Sequence, residues 1–199
     1  MKNNYIVQAW LVLLLAVFYG GALAGVQLTL SPKILENKIN ETRQQVPGLV
    51  LGADRADEAI EMESTTLALE KNGRQVFYDV YKAMQNGEPA GWVIKSSGQG
   101  YADKIELLVG VNPDLSAITG LFILNQKETP GLGNKIIEDD WRNQFLQKKT
   151  DKSLAVVKTG AKAGNEIDAI TGATISSRAV CTIINSTLND VKGQLSTVD

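Results

Sequence analysis

Residues 168–177 read DAITGATISS and run directly into RAVCTIINSTLNDVKG at 178–193. The second stretch carries Val180, Ile183, Ile184, Leu188 and Val191 at helical spacing, with Gly193 placed as a C-terminal stop. The first stretch is therefore the mouth of a helix over Ile175–Lys192. It holds Thr171, Thr174, Ser176 and Ser177, preceded by Asp168, with Gly172 and Ala173 between the threonines. Two readings follow from these residue types. Hydroxyls accept hydrogen bonds from the free N–H groups of a first helical turn, which is ordinary capping. Capping needs only one of them, and a helix N-terminus flanked by small residues also suits a phosphate group, held by backbone N–H groups and the positive end of the helix dipole.

Upstream lies a second loop, Glu128-Thr129-Pro130-Gly131-Leu132-Gly133. Pro-Gly and the second glycine make it a turn. Leu132, pinned between two glycines at the tip, points to a flat partner that covers it. After this loop Ile137, Trp141 and Phe145 fall at i, i+4 and i+8, which predicts a helix starting near Asn134 with Trp141 in the core.

Further out, β-rich runs alternate with turn residues. Val76–Tyr81 and Gly91–Lys95 flank Asn86-Gly87-Glu88-Pro89, while Ile105–Val111 and Ile118–Leu124 flank Asn112-Pro113-Asp114. Each pair reads as a hairpin. Leu154–Val157 adds a short strand. The fold class expected is α+β, with antiparallel hairpins and segregated helices behind one N-terminal transmembrane helix. No strand–GxGxxG–helix unit and no Walker lysine occur, which disfavours nicotinamide-Rossmann and P-loop chemistry.

No charged side chain lies between Lys2 and Lys33. About 20 apolar residues cross a bilayer, so a span near Ile6 to Leu28 is expected, with Tyr5, Trp10 and Tyr19 at the interfaces. Ala22-Leu23-Ala24 also has the form of a signal-peptide cleavage site. The apolar run continues past it, which favours a retained anchor. The division expected is an anchor over 1–30, a juxtamembrane helical segment over 31–70 and a cofactor-bearing domain over 71–199. Within 31–70, Ser31-Pro32 would open a short helix and Pro47-Gly48 would close it, with another helical turn at Ala56–Met62. The positive-inside count, Lys2 against Lys33, Lys38 and Arg43, places the domain on the cytoplasmic side.

The composition excludes much. With no histidine, Ser-His-Asp and Cys-His catalysis, His-ligated haem and most catalytic zinc sites are unavailable. Cys181 is the single cysteine, so neither an internal disulfide nor an iron–sulfur cluster held by this chain alone is open to it. Charges are mixed and net −2, without the basic stripe that nucleic acid demands. Redox chemistry would come from an organic cofactor. Neither a catalytic residue of the chain's own nor a metal site is expected.

DAITGATISS resembles the flavinylation motif of the FMN-binding domain family: an acidic residue, two intervening residues, Ser or Thr, then Gly-Ala-Thr. ETPGLG, with GYADKIELLVGV ahead of it, resembles the matching upstream segment. Order, spacing and length are most similar to the G-subunit branch found in Rnf complexes, the ion-translocating ferredoxin:NAD oxidoreductases. The C subunits of sodium-translocating NADH:quinone reductases are similar but longer. The resemblance covers nearly the whole chain and implies the following. FMN is carried on Thr174 through a phosphoester. Thr171, Gly172, Ala173, Ile175 and Ser176 surround the link, and Glu128, Thr129, Gly131 and Leu132 contact the cofactor. Asp168 and Thr171 are read by a separate flavin transferase that uses FAD. Partners are the other membrane and peripheral subunits of an Rnf-type complex, and the domain is extracytoplasmic, opposite to the charge count. A stand-alone extracytoplasmic FMN carrier, a subunit of a sodium-translocating NADH:quinone reductase and an unflavinylated structural subunit are the alternatives.

Overall fold

The computed structural model describes residues 5–71, 73–162 and 164–195, and of residues 5–8 and Arg74 only the backbone. Lys2 and the last residues of the expected C-terminal domain lie outside them. The chain divides into two units, Met1–Glu41 and Thr42–Asp199.

A single helix, α1 (Tyr5–Leu51), supplies the first unit and enters the second. Its apolar side chains from Trp10 to Leu30 are exposed, as a lipid-facing surface requires. The separate helix expected over 31–50 does not exist, because neither Pro32 nor Pro47 breaks α1. Around Pro32, which has no N–H to donate, side chains bond the backbone of the preceding turn: Thr29 Oγ1 donates to the Gly25 carbonyl (2.7 Å) and Ser31 Oγ to that of Gln27 (2.6 Å). The helix ends at Gly52, whose φ of 103° a residue with a Cβ rarely adopts. No helical segment follows as far as residue 70 beyond one 3-10 turn at Ala53–Arg55; Glu61 already begins a strand.

The second unit is built on a five-stranded antiparallel meander, β1 (Glu61–Lys71), β2 (Arg74–Gln85), β3 (Glu88–Gln99), β4 (Lys104–Val111) and β5 (Ile118–Asn125), paired in sequence order. Both expected hairpins are present. Asn86 (φ 52°) and Gly87 (φ 83°) form the two-residue connection of β2 to β3, matching the strand twist. Edge strand β1 carries no local signal, because EMESTTLALEK is exposed almost throughout and shows no buried alternation.

Alternate side chains face opposite layers. Val80, Ile94, Leu107 and Val109 pack beneath α3 (Thr174–Leu195) in the main core. Tyr81, Ala83, Val93 and Leu108 pack with Val46, Leu49 and Val50 at the end of α1. Gly110 and Gly120 allow this second contact: a Cβ on Gly110 would lie 2.5 Å from the Leu49 carbonyl oxygen, and one on Gly120 2.7 Å from Leu49 Cδ2.

Two further expectations are corrected. The helix expected from Asn134 is broken into a 3-10 turn at Gly133–Ile137, α2 (Asp139–Arg142) and a 3-10 turn at Asn143–Phe145. Extended Glu138 (φ −71°, ψ 136°) interrupts it, and the break turns Ile136 inward while Ile137 stays 47% exposed. Trp141 and Phe145 are core residues, as expected. In α3, Gly193 lies inside the helix, which runs on so that Leu195 reaches the core. The strand expected at 154–157 is β6 (Ala155–Val157), which pairs in parallel with β7 (Glu166–Asp168).

Candidate functional site

Strand β7 leads into the mouth of α3, and Asp168 anchors the approach. Its N–H donates to Gln144 Oε1 (2.7 Å), its Oδ1 accepts the Ala161 N–H (2.8 Å) and its carbonyl accepts Trp141 Nε1–H (2.9 Å). The helical stretch over 139–145 and the loop at Ala161 are thereby fixed around one residue. The chain then turns at Gly172 (φ 80°), and α3 starts at Thr174.

The four hydroxyls divide into two pairs. Ser177 is fully buried; its Oγ accepts the Ile170 N–H and donates to the Ala173 carbonyl, which ties the turn to the helix (both 3.1 Å). Ser176 is also buried and donates to Glu128 Oε2 at 2.5 Å. The side chains of exposed Thr171 and half-buried Thr174 have no hydrogen-bond partner among the described residues. Capping by hydroxyls is not what this stretch does. Ala173 occupies the cap position, the first backbone bond into the helix runs from Ser177 N–H to its carbonyl, and the N–H groups of Thr174, Ile175 and Ser176 find no protein acceptor among the described residues. Three aligned donors at the positive end of a 22-residue helix, beside a free hydroxyl, suit an oxyanion attached to that hydroxyl.

The Glu128–Gly133 loop meets this turn at two places. Glu128 is 4% exposed, and besides Ser176 it accepts the Ala102 N–H at 3.1 Å. Its carboxylate is committed to joining three segments. The loop itself closes on the Thr129 carbonyl, which accepts the N–H groups of Leu132 (3.1 Å) and Asn134 (3.2 Å), with Gly131 at φ 75°. Thr129 and Gly131 lie at the tip, and Gly131 is exposed there. Leu132 is 43% exposed, and its Cδ2 lies so close to Gly172 that a Cβ there would be 3.0 Å away. Of the residues singled out in the sequence, Leu132, Thr171, Gly172, Thr174 and exposed Ile175 form an accessible cluster. Ala173, Ser176 and Glu128 lie beneath it.

Two glycines outside that set make the junction. A Cβ on Gly133 would be 2.6 Å from Ser176 Oγ, and one on Gly100 would be 2.4 Å from Glu128 Oε1. Gly98-Gln99-Gly100 is legible as glycine-rich, but nothing local connects it to a carboxylate 28 positions later. A groove of about 440 Å³ opens beside the same turn, between the end of β3 and the outer face of α3. Cys181 plays no part: burial pushes its thiol up to about 12, so it stays protonated and inert.

Residues 100–189 match the FMN-binding domain family. The chain is 31% identical over 175 residues to the G subunit of an ion-translocating oxidoreductase complex from Methanosarcina acetivorans, covering 87% of this chain and 88% of that one. It is 38% identical over 131 residues to the G subunit of the Na(+)-translocating ferredoxin:NAD(+) oxidoreductase complex of Acetobacterium woodii. That match spans 65% of this chain and 61% of the relative, less than two thirds of its length. Among solved structures, the C subunit of a Na(+)-translocating NADH-quinone reductase from Parabacteroides distasonis superposes with a TM-score of 0.58 at 26% identity, covering 77% of this chain and 89% of that one.

Proposed function

Because the chain belongs to the G-subunit family of ion-translocating oxidoreductase complexes and carries an FMN-binding domain over residues 100–189, we propose that it is a membrane-anchored flavoprotein subunit, with FMN linked as a phosphoester to Thr174. The observation that carries this reading is the mouth of α3, where three N–H groups without protein acceptors among the described residues surround an unpartnered threonine hydroxyl. Bound there, a flavin supplies reversible electron transfer. The chain's own residues hold and shield it. The amides of Thr174, Ile175 and Ser176 would hold its phosphoryl oxygens, with the helix dipole favouring the negative charge. Gly172 keeps the approach to Thr174 open, and Leu132 and Thr129, from the neighbouring loop, would contact the ring.

Attachment exchanges the Thr174 Oγ–H bond for an Oγ–P bond, while the pyrophosphate of FAD breaks and AMP leaves with the proton taken up. The chain has no histidine to accept that proton, which supports a separate flavin transferase that reads Asp168 and Thr171. The apolar part of α1 holds the protein in the membrane with its domain on the extracytoplasmic side, among the other subunits of an Rnf-type complex.

The test is denaturing-gel fluorescence of the chain purified from its own membrane. Thr174→Val abolishes the denaturation-resistant flavin signal and Thr174→Ser keeps part of it. Full signal in the valine variant refutes the assignment. Protease added to intact spheroplasts should digest the domain, and protection would reverse the topology.

A further inference from the structure

Residues 148–162, between the 3-10 turn at Asn143–Phe145 and strand β7, carry five lysines against one acid, Asp151. The chain as a whole is net −2, so this segment runs against the sign of the rest. Lys149, Lys152, Lys158 and Lys162 are exposed, and none of their side chains has a carboxylate or hydrogen-bond partner among the described residues. Elsewhere Lys71, Lys104, Lys127 and Arg142 each hold a carboxylate.

The backbone beneath these lysines is fixed along its length. Gln147 N–H donates to the Ile118 carbonyl (2.8 Å) and Thr150 N–H to that of Ser116 (2.9 Å), which lays the start of the segment against the entry to β5. Leu154 exchanges two hydrogen bonds with the Asn185 side chain of α3 (2.8 and 2.9 Å). Ala161 N–H, between Lys158 and Lys162, donates to Asp168 Oδ1. Charges on a backbone already ordered cost a partner little further loss of freedom. Two concavities of about 770 Å³ and about 350 Å³ lie along the segment, and Lys149 stands with Asp151 on the ridge they share.

A surface of this kind selects a partner of opposite charge, and a short-lived one. Lysine is depleted from lasting interfaces, whereas unpaired surface charge steers a diffusing partner and raises the rate of encounter. On the flavin reading, the chain must meet a protein that modifies Thr174 and then departs. The lysine segment is tied to Asp168, on the strand that leads to that threonine. An anionic lipid surface would attract the same lysines, but the relief around Lys149 suits protruding side chains better than a flat layer of headgroups. We propose that Lys149, Lys152, Lys158 and Lys162 form the landing surface for the flavin transferase, which meets them with an acidic face. The inference rests on the flavin reading above and adds to it the surface by which the modifying partner finds the motif.

The test uses full-length chain in detergent, made in a host without the transferase. It is incubated with purified flavin transferase and FAD, and denaturing-gel fluorescence follows modification in time. Added salt slows the wild type. The combined variant Lys149→Glu, Lys152→Glu, Lys158→Glu and Lys162→Glu is slowed about tenfold at low salt, the lower end of electrostatic steering. Replacing the same four by arginine keeps the wild-type rate. At high transferase concentration the glutamate variant reaches the wild-type flavin content, because Thr174 and its amides are untouched. A glutamate variant modified as fast as the wild type, or a wild-type rate indifferent to salt, overturns the proposal. Normal modification with lost binding to vesicles of anionic phospholipid assigns the lysines to a membrane surface and also overturns it. If the glutamate variant fails to fold, the four-glutamine variant, which only removes the charge, is judged by the same rates. A wild type that gains no flavin even at high transferase concentration refutes the Thr174 reading itself, a failure distinct from that of the landing surface.

Discussion

At its N-terminal end α3 begins with a free threonine hydroxyl, unpaired amides and exposed Ile175, over a floor formed by Glu128 and Ser176. At its other end the same helix is fastened down. Asp190 accepts Lys71 Nζ and Tyr78 OH (both 2.7 Å), Lys71 also reaches Ser186 (2.9 Å), and Ile184, Leu188, Val191 and Leu195 enter the core. The side chains of Ser186 and Asp190 are satisfied by the protein itself, while the Thr174 hydroxyl and the first three amides of the helix have no acceptor or donor among the described residues. A buried, fully paired end contributes stability. An open end with unspent donors contributes binding. The contrast predicts that lesions at the two ends separate: one set should change unfolding and spare the flavin, the other the reverse.

The largest effect on stability should come from the fastened end. Ile184→Ala removes a fully buried side chain and should cost about 3 kcal/mol in denaturant unfolding, with the flavin spectrum unchanged. An altered flavin potential in that variant would break the separation. Glu128→Ala tests the one place where the ends share a design, since a buried carboxylate lies beneath the open end. It strands the Ser176 hydroxyl and Ala102 N–H and should cost about 2 kcal/mol, while loosening the Leu132 loop and shifting the flavin band. A stability loss with an unshifted band would make Glu128 purely structural.

A smaller effect is expected in alkali. Burial, aided by the hydrogen bond to Asp190, pushes the Tyr78 phenol up to about 12. The unfolded phenol ionises near pH 10, so the stability from Tyr78 is complete below that pH and is lost as pH rises towards 12. Tyr78→Phe should flatten this part of the pH profile, and a decline of equal size in the variant would assign it elsewhere. In acid the same network acts in reverse. Burial pushes the Asp190 carboxyl up, but the hydrogen bonds from Lys71 and Tyr78 outweigh it and hold it below the usual carboxylate range. Its contribution is therefore present above about pH 4 and lost as pH falls further.

The smallest change in stability should come from Leu132→Ala, within about 0.5 kcal/mol because the side chain is half exposed. If Leu132 lies against the ring, the variant keeps its covalent flavin and shifts the potential by tens of millivolts at most, since the lost contact is worth roughly 1–2 kcal/mol and only the difference between redox states registers. An unchanged potential would place the loop against solvent or a neighbouring protein of the complex.

Most of the secondary structure around the site was readable because its signals are local. The Asn86-Gly87 turn, the β-branched runs of β4 and β5 and the apolar stripe of α3 each need only neighbours along the chain. The errors share a cause. Pro32 and Pro47 suggested breaks, yet α1 continues through both. Ile137 fitted a helical stripe that extended Glu138 diverted to Ile136. Strand β1 is polar and exposed, and pairing with β2 makes it a strand despite its composition.

The sequence by itself determined the two loops, the order in which they occur, the threonine at the helix start and the apolar anchor, since each is a property of consecutive residues. Only the tertiary structure decided which of those residues are available. Ser176 and Ser177 looked equivalent to Thr174 in the string, yet Ser176 is spent on a carboxylate 48 residues away and Ser177 on the turn beneath the helix. Glu128, expected as a cofactor contact, is a buried joint between segments, and Gly98 and Gly100, which no local pattern singles out, line the wall of a groove. The physical reason is that burial and hydrogen-bond satisfaction are properties of pairs brought together by packing. A hydroxyl's chemistry depends on whether a partner has already claimed it.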